Sequence, residues 1–165
     1  MSDKTIHQFN LADSSTGNDR VGITTCQEES ARNLPAVKSA RILLAEDDDE
    51  MRSIIALHLR REGYEVTECR DGMELLDHLN GFLEHVDGAD EFDLIVSDIR
   101  MPGVFGLSVA AGAADCQDSP PMILITAFGD AETHQAAEQY GVKAVLDKPF
   151  EIPVLLEKVR EIISG

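Results

Sequence analysis

Short continuous runs of apolar residues constrain the fold of this chain more than any other feature. Runs of this length are typical of strands that are buried on both faces of a parallel sheet. They lie at Ile42–Ala45, Leu94–Ser97, Met122–Ile125 and Ala144–Leu146. A fifth segment, Tyr64–Cys69, mixes apolar and polar residues and is interpreted as a further strand. The sequence therefore predicts a five-stranded sheet.

The segments between these strands repeat apolar residues at helical spacing. The first such helix carries Met51, Ile54, Ile55, His58 and Leu59 and is expected to stop at Gly63. Four more helices are predicted at Met73 to about Leu83, Gly106–Ala114, Ala131–Tyr140 and Ile152–Ile163. Strands that alternate with helices indicate the α/β class, a doubly wound parallel sheet with helices on both faces.

Charge and composition exclude several kinds of partner. With 31 acidic against 14 basic side chains the formal charge is −17, whereas nucleic acid or an anionic membrane requires a basic footprint. No stretch approaches the roughly 20 apolar residues that span a bilayer, so membrane insertion is not expected. The cysteines Cys26, Cys69 and Cys116 form no C-x-x-C pair. They predict neither a zinc site nor a disulfide framework, and a cytoplasmic location is expected.

The polar first part of the chain differs from the remainder. Residues 1–39 are rich in Ser, Thr, Asn, Asp and Gln and show no sustained apolar period, which predicts a flexible polar N-terminal extension. Residues 40–165 are predicted to form one domain. Plain disorder is favoured for the extension over a regulatory or docking role.

Polar residues follow four of the predicted strands directly. Glu46 and Asp47 come after the first strand, Asp98 after the third, Thr126 after the fourth and Lys148 after the fifth. These side chains are expected to meet, because function in such sheets sits at the carboxyl ends of the strands. Crowded carboxylates favour a hard cation such as Mg²⁺, and a hydroxyl and an ammonium beside it suit phosphate oxygens. The pattern indicates phosphoryl transfer to a carboxylate.

Each of these residues also has a purely structural interpretation. Acids at a helix start are usually caps, and Asp48 and Asp49 are interpreted so. Asp98 could form a turn, Thr126 could bond to the backbone, and Lys148 could be a solvated surface side chain. The placement of all the candidates at strand ends favours the site.

Four strings, in order, carry a family resemblance: ILLAEDDDEMR, LIVSDIRMPG, LITAFGD and VLDKPF. Together they resemble the receiver domain of two-component response regulators over about residues 40–163. The resemblance implies a CheY-like, flavodoxin-like fold with strand order 2-1-3-4-5. It further implies that Asp98 is the phosphoacceptor, that Thr126 and Lys148 bind the phosphoryl group, and that the Lys148–Pro149 bond is cis.

The resemblance also implies a magnesium site. Asp47 and Asp98 would be direct ligands of Mg²⁺, and Glu46 would hold metal-bound water. The backbone carbonyl of Arg100 would complete the protein's share of the metal shell.

The chain departs from the family pattern in several places. Val145 stands where the family usually has an aromatic residue, and Phe105 where it favours an acid. Arg100 and Phe128 lie two residues after Asp98 and Thr126, at positions that in receivers flank the path of the water that attacks the phosphoryl group. Phe128 is expected either to fold over the phosphoryl group or to pack against the following helix. The span Leu79–Asp98 is long and predicts an extended loop.

The function that follows is a phosphorelay response regulator rather than an enzyme. It would accept a phosphoryl group from a histidine kinase or a histidine phosphotransfer protein and signal through protein–protein contacts. Because the given sequence ends at Gly165, a stand-alone regulator is expected; the alternative is a phosphorylation-independent adaptor. An aspartate-nucleophile phosphatase is disfavoured because Arg100 cannot act as its second acid. A flavin or nucleotide binder is disfavoured because an acidic turn, not a phosphate-binding loop, follows the first strand.

Overall fold

The computed structural model describes residues 39–83, 91–116 and 119–165. Within them, strands and helices alternate along the chain, which confirms the predicted α/β class. The strands are β1 (Arg41–Ala45), β2 (Glu65–Cys69), β3 (Leu94–Asp98), β4 (Met122–Thr126) and β5 (Ala144–Asp147). The helices are α1 (Asp49–Arg61), α2 (Gly72–Leu83), α3 (Gly106–Ala114), α4 (Ala131–Gln139) and α5 (Ile152–Ser164).

The five strands form one parallel sheet in the order β2-β1-β3-β4-β5, as predicted. In the register, Ala45 of β1 pairs with Ser97 of β3, and Thr126 of β4 pairs with Asp147 of β5. The carboxyl ends of these strands therefore meet along one edge of the sheet. Strands β1 and β3 run through its centre, which brings distant parts of the sequence together there.

The apolar core lies in two layers, one on each face of the sheet. Alternate residues of β1 divide between them, because successive side chains of a strand point to opposite faces. Leu43 and Ala45 pack in the layer that α2, α3 and α4 cover, whereas Ile42 and Leu44 pack in the layer under α1 and α5. The prediction of helices on both faces is confirmed, and the double burial explains the continuous apolar strands.

Local signals at the helix ends agree with the sequence. The Asp48 side chain caps α1 by accepting a hydrogen bond from the amide of Met51 at 2.8 Å. Gly63, with φ of 95°, follows the end of α1 in the left-handed conformation that glycine tolerates best. One residue of the predicted apolar stripe is placed differently: Ile54 is exposed, because the buried face of α1 consists of Ile55, Ala56 and Leu59.

Several sequence predictions concern residues outside the described ranges. The extension over residues 1–39 lies there except for its last residue, as does Cys26. The predicted loop over Leu79–Asp98 is corrected in part, because residues 79–83 continue α2 and residues 94–98 form β3. Residues 91–93 form neither helix nor strand, and residues 84–90 lie outside the described ranges. Among the described residues, no helix combines the length and apolar character needed to cross a membrane.

Candidate functional site

The polar residues predicted to meet do meet at the carboxyl edge of the sheet. Glu46 and Asp47 follow β1 directly, and Lys148 follows β5. Asp98 and Thr126 are the last residues of β3 and β4 rather than the first residues after them. Because these strands lie side by side in parallel, the sheet itself determines the grouping.

Three carboxylates form a compact acidic cluster at this edge. One oxygen from each of Glu46, Asp47 and Asp98 lies within 4.8 Å of the others. Glu46 and Asp98 are buried, whereas Asp47 is exposed. Carboxylate oxygens this close repel one another, and a hard divalent cation with oxygen ligands relieves the repulsion. The cluster therefore fits a magnesium ion that keeps water on its open side.

Lys148 connects two of these acids. Its Nζ donates to Oε1 and Oε2 of Glu46 at 2.9 and 2.8 Å and to Oδ2 of Asp98 at 2.6 Å. Its backbone amide donates to the carbonyl oxygen of Thr126 at 2.7 Å. The Lys148–Pro149 bond is cis, as the resemblance implied. A single ammonium thus partly neutralises two buried carboxylates.

The environment shifts the pKa of both partners in this contact. Burial raises the pKa of the Glu46 carboxyl and the charge of Asp98 adds to the effect, although the hydrogen bond from Lys148 opposes it. Burial alone would lower the pKa of Lys148, but its hydrogen bonds to Asp98 and Glu46 outweigh burial and raise it. Lys148 therefore keeps its positive charge. A further cation nearby would stabilise the charged form of Glu46, which burial disfavours.

Asp98 is held from several sides. Its Oδ1 accepts a hydrogen bond from the amide of Arg100 at 2.9 Å, and its backbone oxygen accepts one from the Ser97 hydroxyl at 2.9 Å. Gly106 approaches the same backbone oxygen so closely that an added Cβ would lie 2.4 Å from it. These contacts fix where the buried carboxylate points.

Thr126 lies beside this cluster with its hydroxyl partly engaged. Its Oγ1 accepts a hydrogen bond from the amide of Phe128 at 3.0 Å. This is the contact with the backbone that a purely structural role for Thr126 would require. The contact uses the oxygen as an acceptor, so the hydroxyl hydrogen can still be donated. Thr126 is therefore suited to bind a further anionic oxygen.

Phe128 lies exposed and stacked on Arg100 rather than buried against the following helix; whether it folds over a phosphoryl group stays a prediction. Its side chain is 60% exposed, and its ring lies under the guanidinium of Arg100, with Cζ 4.4 Å from the ring centroid. Phe105 is also exposed. The two aromatic rings and Arg100 line one shallow pocket beside Thr126.

Comparison with known proteins decides the family. The sequence model of one protein family, the response regulator receiver domain, matches residues 42–160 of this chain. The chain belongs to the response-regulator receiver family. Receiver domains are phosphoacceptors rather than conventional enzymes, and they bind Mg²⁺ at an acidic pocket.

The receiver resembles parts of longer regulators. It is 32% identical over 127 residues to the transcriptional regulatory protein GlrR of Escherichia coli, an alignment that covers 77% of this chain and 27% of GlrR. It is 33% identical over 123 residues to the response regulator ArlR of Staphylococcus aureus, which covers 74% of this chain and 52% of ArlR. The chain thus spans between about a quarter and about half of these relatives.

A solved structure agrees with the receiver fold. TrrA of Thermotoga maritima, determined in complex with Mg²⁺ and BeF, matches with a TM-score of 0.63 and 28% identity. The match covers 74% of this chain and 98% of that one.

Sequence reasoning assigned no role to one residue that the receiver structure connects to the site. Arg52 donates through Nη1 to the backbone oxygen of Glu46 at 2.7 Å. Helical side chains lean toward the helix N-terminus, so a basic residue in the first turn of α1 is directed back over the acidic turn. That spacing could have pointed to Arg52 from the sequence.

Proposed function

We propose that this receiver domain accepts a phosphoryl group on the carboxylate of Asp98, in a Mg²⁺-dependent reaction, from a histidine kinase or a histidine phosphotransfer protein. The observation that carries this proposal is the contact of Lys148 with both Glu46 and Asp98 inside the cluster of three carboxylates. In this proposal the cluster would supply a nucleophilic oxygen, a site for a cation and a cationic donor to one phosphoryl group.

The residues proposed to hold the metal are those of the acidic cluster. Asp47 and Asp98 would coordinate it directly, the backbone carbonyl of Arg100 would supply a third oxygen, and Glu46 would hold metal-bound water. When bound, Mg²⁺ supplies positive charge that offsets the repulsion between the carboxylates and the incoming phosphoryl oxygens. Asp47, the exposed acid, would be the ligand nearest to solvent.

In the proposed transfer, an oxygen of Asp98 attacks phosphorus while the bond from phosphorus to the donor breaks, and its electron pair leaves with the donor. Lys148 would exchange its 2.6 Å contact with Asp98 for a contact with a phosphoryl oxygen. The Thr126 hydroxyl would donate to another phosphoryl oxygen. Arg100 would continue to donate its amide hydrogen to Oδ1 of Asp98, the contact that orients the carboxylate.

The proposed output is a change of surface that a partner protein recognises. The movement of Thr126 toward the phosphoryl group would release the amide of Phe128, whose ring lies on the exposed surface. GlrR is named a transcriptional regulatory protein, yet the acidic charge of this chain argues against direct contact with nucleic acid. A stand-alone arrangement, a cytoplasmic location and the 1–39 and 40–165 division stay predictions.

Phosphorylation with a small donor tests the proposal. The protein is incubated with acetyl phosphate, with and without Mg²⁺, and its intact mass is measured. We expect one phosphate adduct that requires Mg²⁺, is lost in Asp98→Asn and is retained in Asp115→Asn, which removes an exposed carboxylate at the end of α3.

Other outcomes would overturn the proposal. A parent protein that stays unmodified by acetyl phosphate and by phosphorylated kinases would favour a phosphorylation-independent adaptor. Continuous hydrolysis of a phosphate ester, with loss in Asp98→Asn, would favour a phosphatase. An adduct that persists in Asp98→Asn would move the phosphoacceptor elsewhere.

A further inference from the structure

The guanidinium of Arg52 connects the acidic turn to the neighbouring strand. It donates through Nη1 to the backbone oxygen of Glu46 at 2.7 Å and through Nη2 to the carboxylate of Asp49. Its Nε lies 3.6 Å from Oε2 of Glu68 in β2. Only 13% of the Arg52 side chain is exposed, although it is long and charged. Such burial is unusual for arginine unless its donors are engaged.

Both backbone polar groups of Glu46 are held by hydrogen bonds, the amide by Cys69 and the carbonyl by Arg52. The amide of Glu46 donates to the carbonyl oxygen of Cys69 at 3.1 Å, and the carbonyl of Glu46 accepts from Arg52. Because the peptide unit is planar, fixing that carbonyl also fixes the direction in which the chain enters Asp47. Asp47 carries the one exposed carboxylate of the three that cluster.

The anchor of Arg52 is itself braced. Glu68 pairs with Arg60 at 2.8 Å, and Arg60 also donates to the carbonyl oxygen of Val66 at 2.8 Å. Glu68 therefore stays in place between two arginines. Arg60 shares Glu68 with Arg52, but its other hydrogen bond goes to Val66 of β2 rather than to the carbonyl of Glu46.

We propose that Arg52 is a positioning residue for the metal site: its contact with the Glu46 carbonyl holds the turn so that Asp47 reaches the shared cation. The proposal rests on the proposed function, because it concerns the same Mg²⁺ site. Charge alone predicts the opposite effect, since a guanidinium near the site repels a cation. Positioning and repulsion therefore give changes of opposite sign when Arg52 is removed.

Magnesium titration of the full chain by calorimetry separates these effects. In Arg52→Ala we expect the dissociation constant for Mg²⁺ to rise by roughly tenfold, the usual scale for losing a residue that orients a metal ligand. Arg60→Ala, the matched control, removes the same charge and a Glu68 partner but leaves the Glu46 contact, so its dissociation constant should rise far less than that of Arg52→Ala. Arg52→Lys should recover part of the affinity, because a compact ammonium cannot reach all three acceptors as the wider guanidinium does.

The melting temperature without Mg²⁺ distinguishes positioning from a general loss of folding. A normal metal-free melt together with weaker Mg²⁺ binding supports the proposal, and equal or tighter binding in Arg52→Ala overturns it. If Arg52→Ala does not fold, Glu68→Gln replaces it. That variant weakens the anchor of Arg52 and should raise the dissociation constant by a smaller factor; parent-like binding would overturn the proposal. A parent that binds no Mg²⁺ contradicts the proposed function itself.

Discussion

The guanidinium of Arg100 lies over the ring of Phe128, with Cζ 4.4 Å from the ring centroid, in cation–π geometry. The two residues belong to different loops, one after β3 and one after β4. Their backbone amides donate to Oδ1 of Asp98 and to Oγ1 of Thr126 respectively. The stacked pair thus bridges the two loops that follow Asp98 and Thr126.

The first prediction concerns the lifetime of phospho-Asp98. Neither Arg100 nor Phe128 has a side chain that accepts a hydrogen bond from water through a carboxylate or amide oxygen, so neither can orient an attacking water. Phe128→Glu and Arg100→Asn should speed hydrolysis, by roughly 10²-fold at most. Decay of the adduct is followed by intact mass after the donor is removed.

Phe105→Glu is the matched control for that experiment. Phe105 is an equally exposed phenylalanine that lines the same pocket, but the stacking partner of Arg100 is Phe128. Its variant should decay at the parental rate. The hypothesis is wrong if the parent loses its phosphoryl group as fast as Phe128→Glu and Arg100→Asn do.

A second prediction concerns stabilisation by magnesium. Binding to the folded state alone at about ten times the dissociation constant stabilises a protein by about 1.4 kcal/mol. Asp47→Ala should abolish most of this gain, because it removes the exposed carboxylate of the cluster. Thermal melts with and without Mg²⁺ measure the gain.

Glu50→Ala is the matched control, because it removes an acid from the first turn of α1 outside the cluster. This variant should keep the stabilisation by Mg²⁺. Equal magnesium shifts in the parent and Asp47→Ala would remove Asp47 from the site.

A third prediction is a loss of magnesium affinity as the pH falls. The pKa of Glu46 is raised from its usual 4.5, so in the folded protein this carboxyl takes up its proton at a higher pH than an ordinary glutamate. Protonation competes with the cation, and metal binding must therefore release the proton. The dissociation constant should rise as the pH is lowered toward the pKa of Glu46, and the rise should begin at a higher pH than an ordinary glutamate would give.

The variant Glu46→Gln tests whether Glu46 is the group responsible. It should bind Mg²⁺ more weakly than the parent at about pH 8 and show a flatter pH dependence, because glutamine does not titrate. Calorimetry at several pH values gives both profiles. Parallel profiles in the parent and the variant would assign the pH dependence to another group.

A fourth prediction compares two glycines of α3. In Gly106→Ala the new Cβ would lie 2.4 Å from the backbone oxygen of Asp98, which cannot move without displacing Asp98 itself. Overpacking of this kind costs about 1–3 kcal/mol of unfolding free energy. Gly112→Ala has open space around the new Cβ and should stabilise the helix by about 0.5–1 kcal/mol. Denaturant unfolding measures both, and equal effects in the two variants would contradict the packing argument.

The sequence by itself determined the sheet and the edge at which the site lies. The continuous apolar runs around Leu43 and Ile95 allow only strands covered on both faces, and parallel strands carry their following residues to a common edge. Asp98, Thr126 and Lys148 could therefore be grouped from the sequence alone. Local chemistry also placed the Asp48 cap and the left-handed Gly63, because both depend on neighbours in the chain.

Only the tertiary structure decided which of these groups touch. The contacts from Lys148 to Glu46 and from Arg52 to the Glu46 carbonyl depend on side-chain rotamers and on distances of a few ångströms. The stacking of Arg100 on Phe128 depends in the same way on two loops whose paths no apolar period specifies. Sequence spacing determines which strand or helix a residue occupies. The partner of a polar side chain is decided by competition among all donors and acceptors within reach, and that set exists only once the chain has folded.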